Sequence, residues 1–108
     1  MPYQKLNGIL SICRKAGKMV AGFSPMKEAL DAGRVSSVLT SSDISPKTGK
    51  EVCYFCQKHG IPVQSLPMDM QQIGAAIGRK AAVIAILDEG FSDRIRHLCA
   101  ENAQQTPE

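Results

Sequence analysis

The chain has 108 residues, a net charge of +3 and a hydrophobic fraction of 44%. This length suits one domain and is too short for two independent cores, and the apolar fraction excludes a disordered chain. The longest apolar run, Ala81 to Leu87, has seven residues, far fewer than the roughly 18 of a membrane-spanning helix, so we expect no membrane association.

The predicted elements begin with an amphipathic helix that ends at Gly17. Its apolar residues follow the i, i+3, i+4, i+7 spacing of one buried face: Leu6, Ile9, Leu10 and Cys13. A short apolar piece, Met19 to Ala21, comes next. Ser24 offers an N-cap oxygen and Pro25 suits the first helical position. A second helix is therefore predicted to run to about residue 32 and to stop at Gly33.

The middle of the chain continues as strand, helix and strand. Val35 to Thr40 is rich in β-branched residues, which favour a strand. Ser45 and Pro46 repeat the helix-start signal, and the third helix is predicted to end at Gly60. The segment IPVQS, from Ile61 to Ser65, predicts the next strand.

The last part of the chain contains the segment expected at the centre of a sheet. Asp69 can cap a fourth helix, and the run AAVIAIL lacks alternation, as expected for a strand buried on both faces. Phe91, Ile95 and Leu98 then share one face of a fifth helix. The alternation predicts an α/β fold, a three-layer α/β/α sandwich with a small, mostly buried mixed sheet of about four strands and five helices. We expect a single domain over residues 1–108, with a core at about 5–100 and a frayed polar tail at 101–108.

The basic charge is concentrated in the first 80 residues, which contain eleven Lys or Arg against five Asp or Glu; the remainder contains two against five. This asymmetry suits a polyanionic partner. The helix start at Ser24 leaves backbone amides unpaired, and Lys15, Lys18 and Lys27 are near it in sequence. The same residues also fit an ordinary helix cap with solvated lysines.

A second candidate site is the turn Asp88, Glu89 and Gly90, which follows the apolar strand. Loops at strand ends often hold ligands, and carboxylates can accept hydrogen bonds from the exocyclic amines of bases. The two acidic residues can equally cap the fifth helix and favour its dipole.

The four cysteines are interpreted as free thiols in a reducing compartment, because the start MPYQKLNGIL does not resemble a secretory signal. We therefore expect a cytoplasmic protein. Cys53, Cys56 and His59 could hold a metal if Cys99 and His97 joined them, which requires helices three and five to meet. Buried cysteines that act as small hydrophobic residues are the alternative that we favour, so we expect no metal and no cofactor.

No motif predicts catalysis. The glycine-containing segments AGKMVAG and SPKTGKE lack the glycine spacing of a phosphate-binding loop. His59 and His97 both lie near predicted helix ends, with no serine and acid arranged as a triad. We expect a protein that is not an enzyme.

The segment RKAGKMVAGFSPMKEALDAGRVSSVLTSSD, read with IPV at Ile61 and the later AILDEGF, resembles the kink-turn-binding ribosomal protein superfamily of the L7Ae and L30e types, especially its small bacterial members. The resemblance covers about residues 5–98. It implies a second helix whose N-terminal end sits beside tandem sheared G·A pairs of a bent RNA, with the loop before the last helix on the other side.

By motif position, the resemblance places the RNA-binding site on two segments. The helix-two segment contributes Gly22, Phe23, Ser24, Pro25 and Glu28, and the loop contributes Leu87, Asp88, Glu89 and Gly90. The family pattern has Asn and then Glu at Ser24 and Pro25, and Lys at Glu28. Lys27 compensates for that missing lysine only if the helix presents it to the RNA.

Two hypotheses for function follow. The first is a monomeric, non-catalytic protein that binds structured RNA, either a kink-turn or ribosomal RNA, with a role on the ribosome or in translation. The second is a protein interaction module that kept the fold and lost specific RNA binding, suggested by Pro25, Glu28 and an apolar Phe23 expected at the surface.

Overall fold

The computed structural model describes residues 4–104, which form five helices and one four-stranded sheet. The elements, in chain order, are α1 (Gln4–Lys15), β1 (Met19–Ala21), α2 (Phe23–Asp31), β2 (Ser37–Thr40), α3 (Pro46–His59), β3 (Val63–Ser65), α4 (Met70–Ile77), β4 (Val83–Ile86) and α5 (Glu89–Gln104). The predicted α/β architecture and element order are confirmed.

The sheet is mixed, with strand order β1-β4-β2-β3. β4 is antiparallel to both of its neighbours, whereas β2 and β3 are parallel. All four β4 residues are buried, as the unbroken apolar run predicted. The register places Ala21 opposite Ile84 and Met19 opposite Ile86, so the chain leaves β1 where it enters β4.

Helices cover both faces of the sheet and create two apolar clusters. One cluster joins α1, α4 and α5 to side chains such as Leu39, Ile84 and Ile86. The other joins α2 and α3 to Val38, Val83 and Ala85 on the opposite face. The alternation of side chains along a strand sends neighbouring residues into different clusters. This arrangement is the three-layer sandwich that the sequence predicted.

The predicted helix ends are confirmed at α3 and α4. Ser45 accepts a hydrogen bond from the Thr48 amide at 3.2 Å, and Gly60 ends α3 in the left-handed conformation with φ 69°. Asp69 and Gln72 form a reciprocal capping box at the start of α4.

The prediction that Ser24 caps the second helix is wrong. α2 begins at Phe23 and its N-cap is Gly22, so Ser24 and Pro25 lie inside the first turn. α5 continues through Gln104, and residues 105–108 of the expected polar tail lie outside the described residues. No helix between residues 4 and 104 has the length and hydropathy to cross a membrane.

Candidate nucleic-acid interface

The start of α2 is an open helix end that a glycine shapes. Gly22 has φ 111° and ψ 157°, a conformation that side chains disfavour. Its own amide donates to the Val83 carbonyl at 2.8 Å, which ties the helix start to the beginning of β4. The first amide to bond within the helix is that of Met26, to the Gly22 carbonyl. No side chain caps the amides of Phe23 and Ser24, which point outward with the positive end of the helix dipole.

The loop from α4 to β4 brings an arginine to this helix start. An ideal Cβ at Gly22 would lie 3.5 Å from Nη2 of Arg79 and 3.4 Å from Cδ of Pro25. Arg79 and Lys80 are both exposed. The guanidinium therefore lies directly over the bend between β1 and α2, where it adds full positive charge to the partial charge of the helix end.

Two glycines of the α4 region allow this loop to turn back closely. Gly78 ends α4 in the left-handed conformation with φ 80°. A Cβ at Gly74 would approach Cγ of Lys80 to 3.1 Å and its backbone to 3.4 Å. The loop thus packs tightly on the last turns of α4, and this fixes where Arg79 emerges.

The first turn of α2 also packs against α3 through aromatic rings. Phe23 is half-buried and meets Phe55 edge to face, with ring centroids 5.9 Å apart. Nζ of Lys27 lies 4.6 Å from the Phe55 centroid and 5.9 Å from that of Phe23. The expectation of an exposed Phe23 is therefore wrong. Glu28 is exposed, one residue beyond this cation–π contact.

The two halves of the site expected from the sequence lie at opposite ends of the sheet. Gly22 adjoins Val83 at the start of β4, whereas the Leu87 amide bonds the Lys18 carbonyl at 2.8 Å beyond its other end. Val83 and Asp88 are separated by five residues, about 16 Å of extended chain. Lys15, Lys18, Leu87, Asp88, Glu89 and Gly90 belong to that second end. Because β1 runs antiparallel to β4, the expected pairing of Ser24 with the Asp88 turn is wrong.

Asp88 instead performs the local role that was the alternative. Its carboxylate accepts a hydrogen bond from the Phe91 amide at 3.0 Å, and its carbonyl accepts one from Ser92. A Cβ at Gly90 would lie 3.1 Å from Oδ2 of Asp88, so the glycine accommodates the cap. The carboxylate is thus engaged with its own helix.

The cysteines are free in the structure, and three of the four are buried. Burial raises the pKa of the Cys13 and Cys56 thiols to about 11, with smaller contributions from Asp88 and Cys53 respectively, and burial also raises the pKa of Cys99. Cys56 and Cys99 lie in clusters on opposite faces of the sheet, so helices α3 and α5 do not meet. Between residues 4 and 104, no group of three or more His, Cys, Asp or Glu side chains could hold a metal ion.

Sequence reasoning identified the α2 half of this surface and missed Arg79 and Lys80. The available signal was a basic pair directly after a helix-ending glycine and directly before the apolar run AAVIAIL. The assembled surface, with open amides, a glycine that permits close approach and a guanidinium, suits phosphate oxygens and the acceptor edges of bases.

Comparison with known sequences identifies proteins that are similar to this chain. The sequence model of the Ribosomal protein L7Ae/L30e/S12e/Gadd45 family matches residues 4–96, which span every element except the end of α5. The chain belongs to this family. The resemblance noted from the sequence is therefore confirmed.

Individual members of the L7Ae/L30e family agree with this assignment. Large ribosomal subunit protein eL30 of Trypanosoma brucei brucei is 30% identical over 90 residues, 82% of this chain and 86% of that protein. The eL30 protein of Pyrobaculum neutrophilum is 28% identical over 89 residues, 81% of this chain and 88% of its own length. The matched region is thus nearly the whole domain in each case.

Two solved structures have the same fold. A protein with unknown function from Bacillus halodurans C is 29% identical and has a TM-score of 0.80, covering 87% of this chain and 95% of that chain. The Giardia lamblia 15.5kD RNA binding protein is 12% identical with a TM-score of 0.71, covering 97% of this chain and 90% of that chain. The second likeness shows the fold alone.

Proposed function

We propose that this protein is a cytoplasmic, non-catalytic RNA-binding protein that recognises structured RNA of the kink-turn type and acts in association with the ribosome. Membership of the L7Ae/L30e family and the ribosomal names of its eL30 relatives support this role. The fold that it shares with a protein named for RNA binding agrees with it.

The approach of Arg79 to Gly22 is the observation that carries the proposal. Nη2 of Arg79 lies 3.5 Å from where a Cβ of Gly22 would be, at the bend that leads into the uncapped first turn of α2. The amides can donate to base or phosphate oxygens, while Arg79 and Lys80 can bind the phosphates of the opposite strand. A sharply bent RNA offers phosphates to the loop and base edges to the helix end together.

The proposed interface therefore keeps the α2 residues predicted from the sequence and replaces the Asp88 turn. It comprises Gly22, Phe23, Ser24, Pro25, Lys27, Arg79 and Lys80. Ser24 is exposed and can donate or accept through its hydroxyl. Lys27 is held over Phe55 rather than free in solvent, so we assign it to the margin of the interface, as we do the nearby Glu28.

A titration of fluorescent RNA tests the function. One probe contains tandem G·A pairs and a bulge that fold into a kink-turn, and its control has those pairs replaced by Watson–Crick pairs. We expect the kink-turn to bind at least tenfold more tightly at physiological salt. Equal affinity for both probes would leave only charge-driven contact and would refute specific recognition.

The alternative hypothesis, a protein interaction module, predicts a different outcome of the same preparation. Partners captured from nuclease-treated extract would then persist without RNA. The half-buried, ring-packed position of Phe23 removes one of the reasons for that hypothesis, because this side chain is part of the α2–α3 packing.

A further inference from the structure

A second surface, separate from the bend at Gly22, lies between α3 and the edge strand β3. It is an open groove with a volume of about 550 Å³. Its walls include Ile44, Gly49, Lys50, Cys53, Tyr54 and Val63. Gly49 lacks a side chain where α3 faces this space, and its ideal Cβ would have only Ile44 near it, at 4.0 Å. The groove is therefore a feature of the backbone arrangement.

The groove is lined by large apolar side chains that the fold leaves exposed. Within the described part of the chain, three large hydrophobic side chains are exposed, and two of them line this groove: Tyr54, 63% exposed, and Val63, 37% exposed. Single exposed apolar side chains are ordinary, but neighbours that form one concave patch indicate a binding site.

The charge beside the groove is positive. Lys47, Lys50, Tyr54 and Lys58 are spaced three or four residues apart, so they lie along one side of α3. Glu51 is the single acidic residue of this helix against three lysines. A tyrosine ring flanked by lysines at this spacing suits an aromatic ligand with an anionic backbone.

A series of aromatic contacts connects the groove to the interface proposed for structured RNA. Phe23, the first residue of α2, meets Phe55, and Phe55 meets Tyr54 edge to face with centroids 5.2 Å apart. Two ring contacts thus connect the open helix end to the exposed ring in the groove. Lys27 lies over the middle ring of this series.

We propose that the α3–β3 groove binds unpaired nucleotides that extend from an RNA held at the Gly22 and Arg79 surface. A base stacks on the ring of Tyr54, and the amide of Gln57 at the groove wall binds base edges. Lys50 and Lys58 bind the flanking phosphates. The inference rests on the proposed function, because that surface brings the RNA to the groove. RNA is favoured over a peptide for two reasons. α3 is positively charged beside the groove, and the series of aromatic rings extends from the proposed RNA interface to the groove.

The test compares kink-turn RNA with blunt arms and the same RNA with a single-stranded hexauridine overhang on one arm or on the other. We expect one overhang to tighten binding by about tenfold. Tyr54→Ala should remove this gain and leave the affinity for blunt RNA unchanged, whereas Tyr54→Phe, which keeps the ring, should retain the gain. Ile12→Ala, a change at an exposed apolar residue of α1, is the matched control and should have no effect.

Free hexauridine, titrated separately, distinguishes failure of this inference from failure of the proposed function. If blunt RNA shows no specific binding, the proposed function fails, and hexauridine binding that Tyr54→Ala abolishes still supports the groove. If blunt RNA binds specifically but neither overhang adds affinity and free hexauridine does not bind, the groove proposal is overturned alone. A dimer seen by sedimentation that Tyr54→Ala disrupts, without any overhang effect, would assign the groove to a second copy and would also overturn it.

Discussion

The N-termini of α2 and α5 both follow a strand closely, but the structure caps one of them and leaves the other uncapped. α2 begins two residues after the end of β1 and α5 begins three residues after the end of β4, at opposite ends of these paired strands. At α5, the Asp88 carboxylate accepts a hydrogen bond from the Phe91 amide, so a side chain of the protein caps the helix. At α2, Gly22 has no side chain to offer and Arg79 adds positive charge. A helix start becomes available to an anionic ligand only where the chain leaves it uncapped.

This difference also explains the placement of charge. The acidic groups Asp88 and Glu89 sit at the helix end that is already satisfied, where they favour the α5 dipole. The cations Arg79 and Lys80 sit at the end that is open. The two helix starts therefore differ in local charge, which is positive at α2 and negative at α5.

The largest predicted effect is on RNA affinity. Arg79→Glu should weaken kink-turn binding by about 2 kcal/mol, roughly thirtyfold, because it removes a charge-assisted contact and introduces repulsion. Lys18→Glu makes the same charge change at the Asp88 end and should have a much smaller effect. Fluorescence titrations of both variants check this. Equal losses would mean that the two ends of the sheet do not differ in RNA binding.

A smaller effect is expected at the bend itself. Gly22→Ala places a Cβ at φ 111° and within 3.5 Å of Arg79, so it should destabilise the fold by about 1–2 kcal/mol and reduce RNA affinity as well. Gly17→Ala provides a control with a positive φ of 72° but open space around it. Urea unfolding and RNA titration should show comparable destabilisation in both variants and an affinity loss only in Gly22→Ala.

The sequence was sufficient to predict the helices and strands but insufficient to predict which loops lie together at one end of the sheet. Capping chemistry is local, so Ser45, Asp69 and Gly60 could be interpreted correctly from their neighbours. The unbroken run of β4 identified the central strand for the same reason. Which loops share a sheet edge depends on strand direction, and no local signal shows that β1 and β4 are antiparallel. The Asp88 turn was therefore assigned to the wrong end, and Arg79 was missed.

The helix start at α2 shows a second reason for error. Ser24 and Pro25 have the residue types of an N-cap and a first helical position, and this pattern alone predicts a start two residues too late. In the structure, Gly22 adopts a conformation that directs the chain from β1 into α2 at once. Tight packing of the bend against Val83 and Arg79 overrides the preference of the serine.

At the capped N-terminus of α5, the expected effect is on the free energy of unfolding alone. Asp88→Ala removes the acceptor for the Phe91 amide and should lower the free energy of unfolding by about 1 kcal/mol. Kink-turn affinity should stay unchanged, because Asp88 lies at the far end of β4. Chemical denaturation and RNA titration of one preparation measure both. A loss of RNA affinity in the folded variant would return the Asp88 turn to the binding site.

The smallest predicted effect concerns the negative charge of Asp88 rather than its role as a helix cap. The pKa of Cys13 is raised from 9.0 to about 11, mainly by burial and to a lesser extent by Asp88. Between these values the unfolded chain releases the thiol proton while the folded chain retains it, so stability must fall as pH rises from about 9 to 11. Asp88→Asn keeps an N-cap acceptor but removes the charge, which should bring the pKa of Cys13 slightly down and make this alkaline loss shallower.

Urea unfolding of wild type and Asp88→Asn at intervals from pH 8 to 11 measures that difference, and Asp93→Asn serves as the control. Asp93 is an exposed carboxylate in the first turns of α5, paired with Arg96 at 2.8 Å, and it does not contribute to the Cys13 shift. Its variant should follow the wild-type slope. Identical slopes in all three proteins would show that Asp88 acts on its helix alone, whereas a shallower slope only in Asp88→Asn would place its charge beside the end of α1, away from the RNA.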